Sequence, residues 1–410
     1  MIAIIGGRIV DPASGRDSVG TVLIEGRAVV AIDPEAVPDS AERIEGHRLV
    51  LAPGLIDTLA YRTDPVASLA GGITRLCLMP DQSPPLDDPA LIERAERIGK
   101  PHVWVHPFAA ATRGLEGVEL AEIGLAAQAG AVAVSTGRRA IASAAVMHRL
   151  LAYAAGFGLP VVVHAEEPSL TAGAAATAGE LASRMGLPAA PAYAEALQIA
   201  RDIRLAEATG AHLHLAQVTT AEGCALVREA KASGVRVTAG VTPNHLLQTE
   251  VAIADYRSFA RLSPPLRTEA DRRAVVDAVV DGTIDCIASG HDPRSQDEKR
   301  LPFADASPGA AGAATLLTLA LRLTDGERMT LSDVIARMTT LPARTFGLRG
   351  GRIAVREAAD LVLFDPNAAW RIDADMLPGI AGNTPFDGIP VQGRVVLTVK
   401  GGVVTRPALA

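Results

Sequence analysis

Aromatic residues and cysteines are scarce in this sequence of 410 residues. Only 3% of the residues are Phe, Trp or Tyr although 49% are hydrophobic, so the core must consist mainly of Ala, Val, Leu and Ile. The cysteines Cys77, Cys224 and Cys286 lie far apart and form no CxxC motif. This spacing argues against a disulfide framework or a cysteine zinc knuckle, and it favours reduced, buried thiols in a cytoplasmic protein.

Basic clusters and long apolar runs are missing as well. Lysine occurs only at Lys100, Lys231, Lys299 and Lys400, the arginines are scattered, and the net charge is −7. This pattern lacks the basic, aromatic-interleaved patch that is typical of nucleic-acid binding. No apolar run approaches the ~20 residues of a membrane span, and residues 1–12 lack the basic and apolar parts of a signal peptide. We therefore expect a cytoplasmic protein that binds neither nucleic acid nor a membrane.

Short strands are predicted near both ends of the chain, because β-branched runs alternate there with turns. The runs are Ile2–Ile5, Val22–Ile24 and Val29–Ile32 at one end, and Asp360–Phe364 and Val395–Val399 at the other. We predict that residues 1–52 and 346–410 combine into one composite β-sheet domain. The alternative is two unrelated β tails.

The middle of the chain, residues 53–345, alternates between apolar strands and helices. Near-continuous apolar strands followed by helices indicate a parallel sheet covered by helices. The predicted strands begin at Leu51, Ile73, Val103, Ala131, Pro160, His212, Val235 and Ile284. This α/β pattern predicts a (β/α)₈ barrel of the TIM type, with its active site at the carboxyl ends of the strands. A doubly wound open sheet is the alternative, although no GxGxxG motif follows an early strand to support it.

The connection after the first barrel strand is unusually short. Only the segment Val66–Gly72 separates Asp64-Pro65 from the strand that begins at Ile73. Within it, Val66–Leu69 is too short for a stable helix of ordinary length. We therefore expect the barrel to be distorted or open near residues 64–72.

The segment Pro53–Asp57, with the sequence PGLID, resembles the first barrel strand of the cyclic amidohydrolases, which include dihydroorotase, hydantoinase and allantoinase. Further short segments, in matching order along nearly the whole chain, narrow the resemblance to dihydroorotase. They are Met79-Pro80, His164–Glu166, Leu213–Gly223, Thr242–Leu247, Pro264–Arg267 and Asn383–Gly388. The resemblance implies a barrel with a small sheet joined from both termini, and a catalytic site that holds Zn²⁺.

Carried over residue by residue, that metal site is almost entirely replaced. The resemblance implies six ligand positions, of which only His164 is kept. The replaced positions are Leu59 and Tyr61 after the first strand, Thr136 within Ser135–Gly137 after the fourth, Gln217 after the sixth, and Gly290 at the general-base position after the last. The last motif also has Arg294 in place of a histidine, and the substrate-binding positions are Thr63, Asp81 and Ser263. Because a catalytic zinc normally takes three protein ligands, we expect no metal and no cofactor.

A smaller metal site is the alternative for the chemistry. His164, His245 and His291 lie near predicted strand ends and could gather a single Zn²⁺. The competing interpretation is that these histidines are hydrogen-bonded packing residues. No GxSxG motif or Cys–His pair indicates nucleophilic catalysis instead.

Our first hypothesis is a catalytically inactive dihydroorotase-like subunit. The resemblance implies a partner, aspartate carbamoyltransferase, which such inactive homologues accompany and support in bacterial pyrimidine synthesis, and a homo- or hetero-oligomer. One alternative is an active cyclic amidohydrolase with a remodelled, mononuclear zinc site. The other is a regulatory module that binds a pyrimidine intermediate in the vestigial pocket.

Overall fold

The computed structural model describes residues 1–407. Its strands are β1 (Ile2–Asp11), β2 (Arg16–Glu25), β3 (Ala28–Ile32), β4 (Glu42–Glu45), β5 (Val50–Pro53), β6 (Leu55–Ala60), β7 (Ile73–Leu78), β8 (Trp104–Ala110), β9 (Ala133–Ser135), β10 (Val161–Val163), β11 (Ala176–Thr177), β12 (Ala189–Ala190), β13 (Leu213–Leu215), β14 (Val237–Val241), β15 (Cys286–Ile287), β16 (Leu361–Arg371), β17 (Pro390–Lys400) and β18 (Val403–Thr405).

The α-helices are α1 (Pro65–Ala70), α2 (Pro89–Ile98), α3 (Ile123–Gln128), α4 (Ala144–Gly156), α5 (Pro168–Thr171), α6 (Glu180–Met185), α7 (Tyr193–Thr209), α8 (Ala221–Ala232), α9 (Pro243–Leu247), α10 (Glu269–Val280), α11 (Gln296–Lys299), α12 (Leu316–Ala320), α13 (Leu331–Ala336) and α14 (Thr340–Phe346). Short 3₁₀ helices lie at Arg113–Leu115, Glu250–Ile253, Ser258–Ala260, Ala313–Thr315 and Leu321–Glu327. Among residues 1–407, every helix is too short or too polar to cross a membrane.

Eight parallel strands form a nearly closed barrel in the order β15–β14–β13–β10–β9–β8–β7–β6. At the carboxyl ends, Ala60 pairs with His291 in a parallel bridge, and the Tyr61 N–H donates to the His291 carbonyl at 2.9 Å. Farther from that end, the two strands do not pair with each other. The Ile56 N–H of β6 donates to the Met338 carbonyl, and the Ile287 N–H of β15 donates to the Arg337 carbonyl. The predicted barrel is therefore confirmed, and the open-sheet alternative is wrong.

The side of the barrel near residues 64–72 stays paired. Helix α1 is only six residues long, and the Asp64 carboxylate caps it by accepting the Ala67 N–H at 3.1 Å. Strands β6 and β7 remain hydrogen-bonded, with two shifts in register. The short helix therefore distorts this side without opening it, and the gap lies between β6 and β15.

The second sheet joins both ends of the chain in the order β18–β17–β16–β5–β1–β2–β3, with β4 beside β1. Strand β5 connects the two halves, because it pairs with β1 on one side and with β16 on the other. The sheet built from both termini is thus confirmed, and the alternative of two unrelated tails is wrong.

One buried carboxylate ties this second sheet to the barrel. Asp360 precedes β16 and accepts hydrogen bonds from Arg75 Nη2 at 2.6 Å, from Trp104 Nε1 at 3.0 Å and from the Gly401 N–H at 2.8 Å. Arg75 and Trp104 belong to barrel strands, whereas Gly401 follows β17. The contact therefore fixes how the sheet lies against the barrel and hence against the strand ends.

Candidate functional site

Most of the positions singled out from the sequence meet at the carboxyl ends of the barrel strands. A small space there is lined by Tyr61, Gln217, His245, Ser263 and Gly290, together with Arg138 and Asp292. Its volume is only about 20 Å³, which is room for about one water molecule. Leu59 lies deeper, inside β6, where it packs in the inner barrel with Phe108 and Phe346.

The guanidinium of Arg138 lies across the mouth of the barrel. Its central carbon is 3.6 Å from the centroid of the Tyr61 ring, a close cation–π contact. Arg138 Nη1 lies 2.7 Å from Asp292 Oδ2, and Arg294 Nη2 donates to the same oxygen at 2.8 Å. The Arg138 N–H also donates to Asp81 Oδ1 at 2.9 Å. Cations of the chain itself therefore occupy the mouth and neutralise its two aspartates.

Burial changes the acidity of the groups beneath this arginine. It raises the pKa of the Tyr61 phenol, so this side chain stays a neutral ring at physiological pH. It also raises the pKa of Asp81, although the charge of Arg138 opposes the shift. A neutral phenol is a poor metal ligand, and Asp81 is already engaged by the Arg138 amide.

His164 is part of a separate polar network beside the mouth. Its Nε2 lies 2.9 Å from Glu166 Oε2 and 3.3 Å from Ser263 Oγ. Arg267 Nη2 donates to the other oxygen of Glu166 at 3.3 Å. Burial alone would raise the pKa of Glu166, but the hydrogen bond with His164 and the charge of Arg267 lower it. Glu166 is therefore an ion-pair partner of Arg267 and His164.

The other two histidines also have protein partners. His245 Nδ1 lies 3.0 Å from Thr242 Oγ1, and its Nε2 lies 3.1 Å from the Pro264 carbonyl, to which it donates as a neutral ring. Burial lowers the pKa of His245 to about 4. His291 Nδ1 accepts the Ala313 N–H at 3.2 Å, and its Nε2 is 3.5 Å from Asp64 Oδ2, too poorly placed for a hydrogen bond.

A larger cavity of about 770 Å³ opens beside the mouth. Thr136, His164 and Ser263 line it, together with Arg138, Arg139, Glu166 and Arg261. Thr63 is half-buried near α1, and within residues 1–407 its hydroxyl has no hydrogen-bond partner. The vestigial positions are thus divided between the narrow mouth, this cavity and the barrel interior.

The sequence of the chain is similar to those of known proteins over nearly its whole length. The model of the amidohydrolase family matches residues 60–405. A dihydroorotase of Syntrophotalea carbinolica is 37% identical over 420 residues, which cover 98% of each chain. A dihydroorotase-like protein of Pseudomonas aeruginosa is 38% identical over 422 residues, which cover 99% of each chain. The chain belongs to the dihydroorotase family, within the amidohydrolase superfamily.

A solved structure supports the fold of this dihydroorotase-family chain. The L-hydantoinase of Arthrobacter aurescens superposes with a TM-score of 0.87 at 22% identity, covering 99% of this chain and 96% of the hydantoinase. At this level of identity the likeness concerns the fold alone.

The zinc site implied by the family does not fit the residues present. In the described part of the chain, no three His, Cys, Asp or Glu side chains are grouped as metal ligands. His164, His245 and His291 are therefore not brought together as the mononuclear alternative requires. Both ring nitrogens of His245 have partners, and the Arg138 cation would repel a metal ion at the mouth.

The backbone also opposes one of the lost ligands. Gly290, at the general-base position, has φ of +60°, and a Cβ there would lie 2.9 Å from Thr242 Cγ2. Side chains other than glycine rarely adopt this conformation, so a single substitution at Gly290 would not rebuild the general base without strain.

Sequence reasoning missed Arg138 and the Asp57–Ser289 pair. Asp57 Oδ1 accepts the Ser289 N–H at 2.9 Å, and Asp57 Oδ2 accepts the Ser289 hydroxyl. The available signal for Arg138 was its place directly after Ser135–Gly137, where the family has a metal-bridging group. For Ser289 it was a polar residue that ends the last strand, directly before Gly290.

Proposed function

We propose that this chain is a catalytically inactive dihydroorotase-like subunit that assembles with aspartate carbamoyltransferase and supports it structurally. The observation that carries the inactive part is the Arg138 guanidinium, which lies between the Tyr61 ring and Asp292 over a space of about 20 Å³. A zinc site of the family type would need imidazole and carboxylate ligands where this guanidinium lies, with an open position for water.

The rest of the barrel supports a chain that folds without a metal. Asp57 and Ser289 link the first and last strands directly, and the terminal sheet is attached through Asp360. Stability in such a fold comes from the core and not from the site. A subunit of this kind can present a stable surface to a partner that carries the catalysis.

The inactive state is tested by metal analysis and a dihydroorotase assay on the same purified sample. We expect less than 0.1 equivalent of zinc and no hydrolysis of dihydroorotate above the buffer rate, with or without added Zn²⁺. A matched preparation of an active dihydroorotase serves as the positive control. Near-stoichiometric zinc with chelator-sensitive turnover would contradict the proposal.

The partner is tested by co-expression with the aspartate carbamoyltransferase of the same genome. We expect the two chains to co-elute in a defined complex on size-exclusion chromatography, and the carbamoyltransferase alone to be smaller or less stable. The variant Arg138→Met should still form the complex, because the proposed role does not use the barrel mouth for chemistry. Separate elution of both chains at micromolar concentration would refute the assembly.

The family relatives described as dihydroorotases favour a second candidate, an active metal-dependent cyclic amidohydrolase. It would use His164, His245 and His291 in a remodelled mononuclear site, which requires these side chains to leave their present partners. The zinc analysis separates the two candidates, because only this one expects about one zinc per chain.

A further inference from the structure

The cavity beside the barrel mouth has a polar wall that the proposed subunit role does not use. Its volume of about 770 Å³ lies within the range of small-molecule sites, ~300–1,000 Å³. It is distinct from the 20 Å³ space at the former metal position. The wall combines the loops after β8, β9 and β10 with residues 261–265.

Arg261 is the unusual group in this wall. The residue is only 9% exposed, and its guanidinium donates to the Ala174 carbonyl at 2.9 Å and to the Leu262 carbonyl at 3.2 Å. Its Nε is buried and has no hydrogen-bond partner in residues 1–407. A guanidinium carries five N–H donors, and among the residues that the structure describes only two of those of Arg261 have a protein acceptor.

The charge of Arg261 is also incompletely balanced. Glu166 is close enough to act on it electrostatically, but that carboxylate is bonded to His164 and Arg267. Burying a charge without a hydrogen-bonded counter-charge is costly. An anion that enters the cavity would supply the missing partner.

Two further features of the same wall favour an anion. Arg139 is exposed at the rim, and Ser143 caps the amino terminus of α4, a helix of 13 residues whose positive dipole end faces this wall. The opposing charges are Glu116, which lies exposed on the rim, and Glu166, which is already bonded to His164 and Arg267. Arg138 also lines the cavity, but Asp292 already neutralises it.

We propose that this cavity binds a small molecule through its carboxylate or phosphate group, with Arg261 as the buried anchor and Arg139 at the rim. Of the three substrate-binding positions that the family resemblance implies, Ser263 lines the cavity, whereas Thr63 and Asp81 do not. The proposed site is independent of the partner proposed above, so either proposal can fail without the other.

The test is isothermal titration calorimetry of the full chain with inorganic phosphate and with succinate, against chloride at equal ionic strength. We expect saturable binding of at least one probe with one site per chain. Tighter phosphate binding would indicate a phosphorylated ligand, and tighter succinate binding a carboxylic acid. If neither probe binds more tightly than chloride, the proposal is wrong.

Variants identify the anchor. Arg261→Gln should weaken binding by tenfold or more, since it removes hydrogen bonds from a charged donor. Arg261→Lys, which keeps the charge, should have an affinity between those of the wild type and Arg261→Gln. Arg139→Gln, an exposed change that cannot disturb the core, should weaken binding about twofold to threefold. The control Arg204→Gln, on the outer surface of α7, should bind like the wild type. Unchanged affinity in Arg261→Lys and Arg139→Gln would overturn the assignment even if Arg261→Gln fails to fold.

Discussion

Arg138 contacts both Tyr61 and Asp292 at the barrel mouth. The Tyr61 ring provides a face for the cation, and Asp292 provides its counter-charge. The ion pair of Arg138 and Asp292 lies at the barrel mouth, where the family resemblance places the metal site. Removing one member of a buried charge pair leaves the other without its counter-charge, which is costly, so the loss of Arg138 should lower stability.

Replacing Arg138 by methionine keeps an unbranched apolar stem but removes the guanidinium and its charge. We expect the free energy of unfolding to fall by ~1–3 kcal/mol, because Asp292 loses the charged group that lies 2.7 Å from its Oδ2. Urea denaturation followed by circular dichroism measures the change. The neighbouring exposed variant Arg139→Met should differ from the wild type by less than about 0.5 kcal/mol. Equal effects of the two substitutions would show that the mouth contacts are unimportant.

The buried histidines predict a loss of stability in acid. Burial lowers the pKa of His245 to about 4 from an ordinary value of 6.5. Between these values the unfolded chain takes up a proton that the folded chain does not, so stability falls as the pH falls from 6.5 to 4. Each pKa unit corresponds to ~1.4 kcal/mol, so the shift of His245 should lower the free energy of unfolding by about 3 kcal/mol at pH 4 relative to neutral pH.

The variant His245→Gln should therefore show a shallower decline of unfolding free energy over this range. Urea denaturation at several pH values between 4 and 7 measures the slope. The exposed control His148→Gln should keep the slope of the wild type. A slope unchanged in His245→Gln would mean that this imidazole is protonated in the folded chain.

At the scale of elements, barrel closure depends on side chains as well as on the backbone. Strands β6 and β15 share a bridge near their carboxyl ends, and Asp57 reaches from one to Ser289 after the other. Farther down, the carbonyls of residues 337–338 take the place of a neighbouring strand. The first and last strands are thus held most firmly where the vestigial site lies.

Removing the Ser289 hydroxyl tests this closure. Ser289→Ala leaves the buried Asp57 carboxylate with fewer donors, and we expect a loss of ~1–3 kcal/mol of stability. Faster hydrogen exchange at the amides of β6 and β15 should accompany it. Ser14→Ala removes a comparable hydroxyl–carboxylate contact, 2.6 Å to Asp11, at an exposed serine and should cost less than about 0.5 kcal/mol. If Ser289→Ala is as stable as the wild type, the barrel closure depends on backbone hydrogen bonds alone.

At the scale of the whole molecule, the terminal sheet and the barrel are joined through Asp360. Its ion pair with Arg75 is 2.6 Å long, and both side chains are less than one tenth exposed. Removing one partner of a buried pair leaves an uncompensated charge, which typically costs ~3–5 kcal/mol. The two parts of the molecule should therefore lose their mutual orientation when this carboxylate is lost.

Asp360→Asn is expected to destabilise the chain by about that amount and to broaden its thermal transition as the sheet separates from the barrel. Differential scanning calorimetry measures both effects. Asp17→Asn, which removes an exposed ion pair with Arg8 in the same sheet, should cost less than about 1 kcal/mol. A sharp, unshifted transition in Asp360→Asn would show that apolar packing alone holds the two parts together.

The fold was predictable because its signals are local. Strand and helix alternation, the cap at Asp88 and the β-rich ends can each be read from neighbouring residues. Of the distortion or opening expected near residues 64–72, only the distortion is found there, since β6 and β7 stay paired with a shifted register and the gap lies beside β15. Strand pairing there depends on residues 337–338, which are remote in sequence and carry no local signal.

The amino-acid sequence by itself determined the barrel, the composite sheet and the identity of the side chains at each former ligand position, because these follow from short-range patterns and residue types. Only the tertiary structure decided which groups these positions contact. It placed Arg138 over Tyr61, directed the nitrogens of His245 towards Thr242 and Pro264, and left Arg261 buried in an open cavity. Such arrangements join loops far apart in the chain, so they depend on how the strand ends converge and on which charges can be paired once water is excluded.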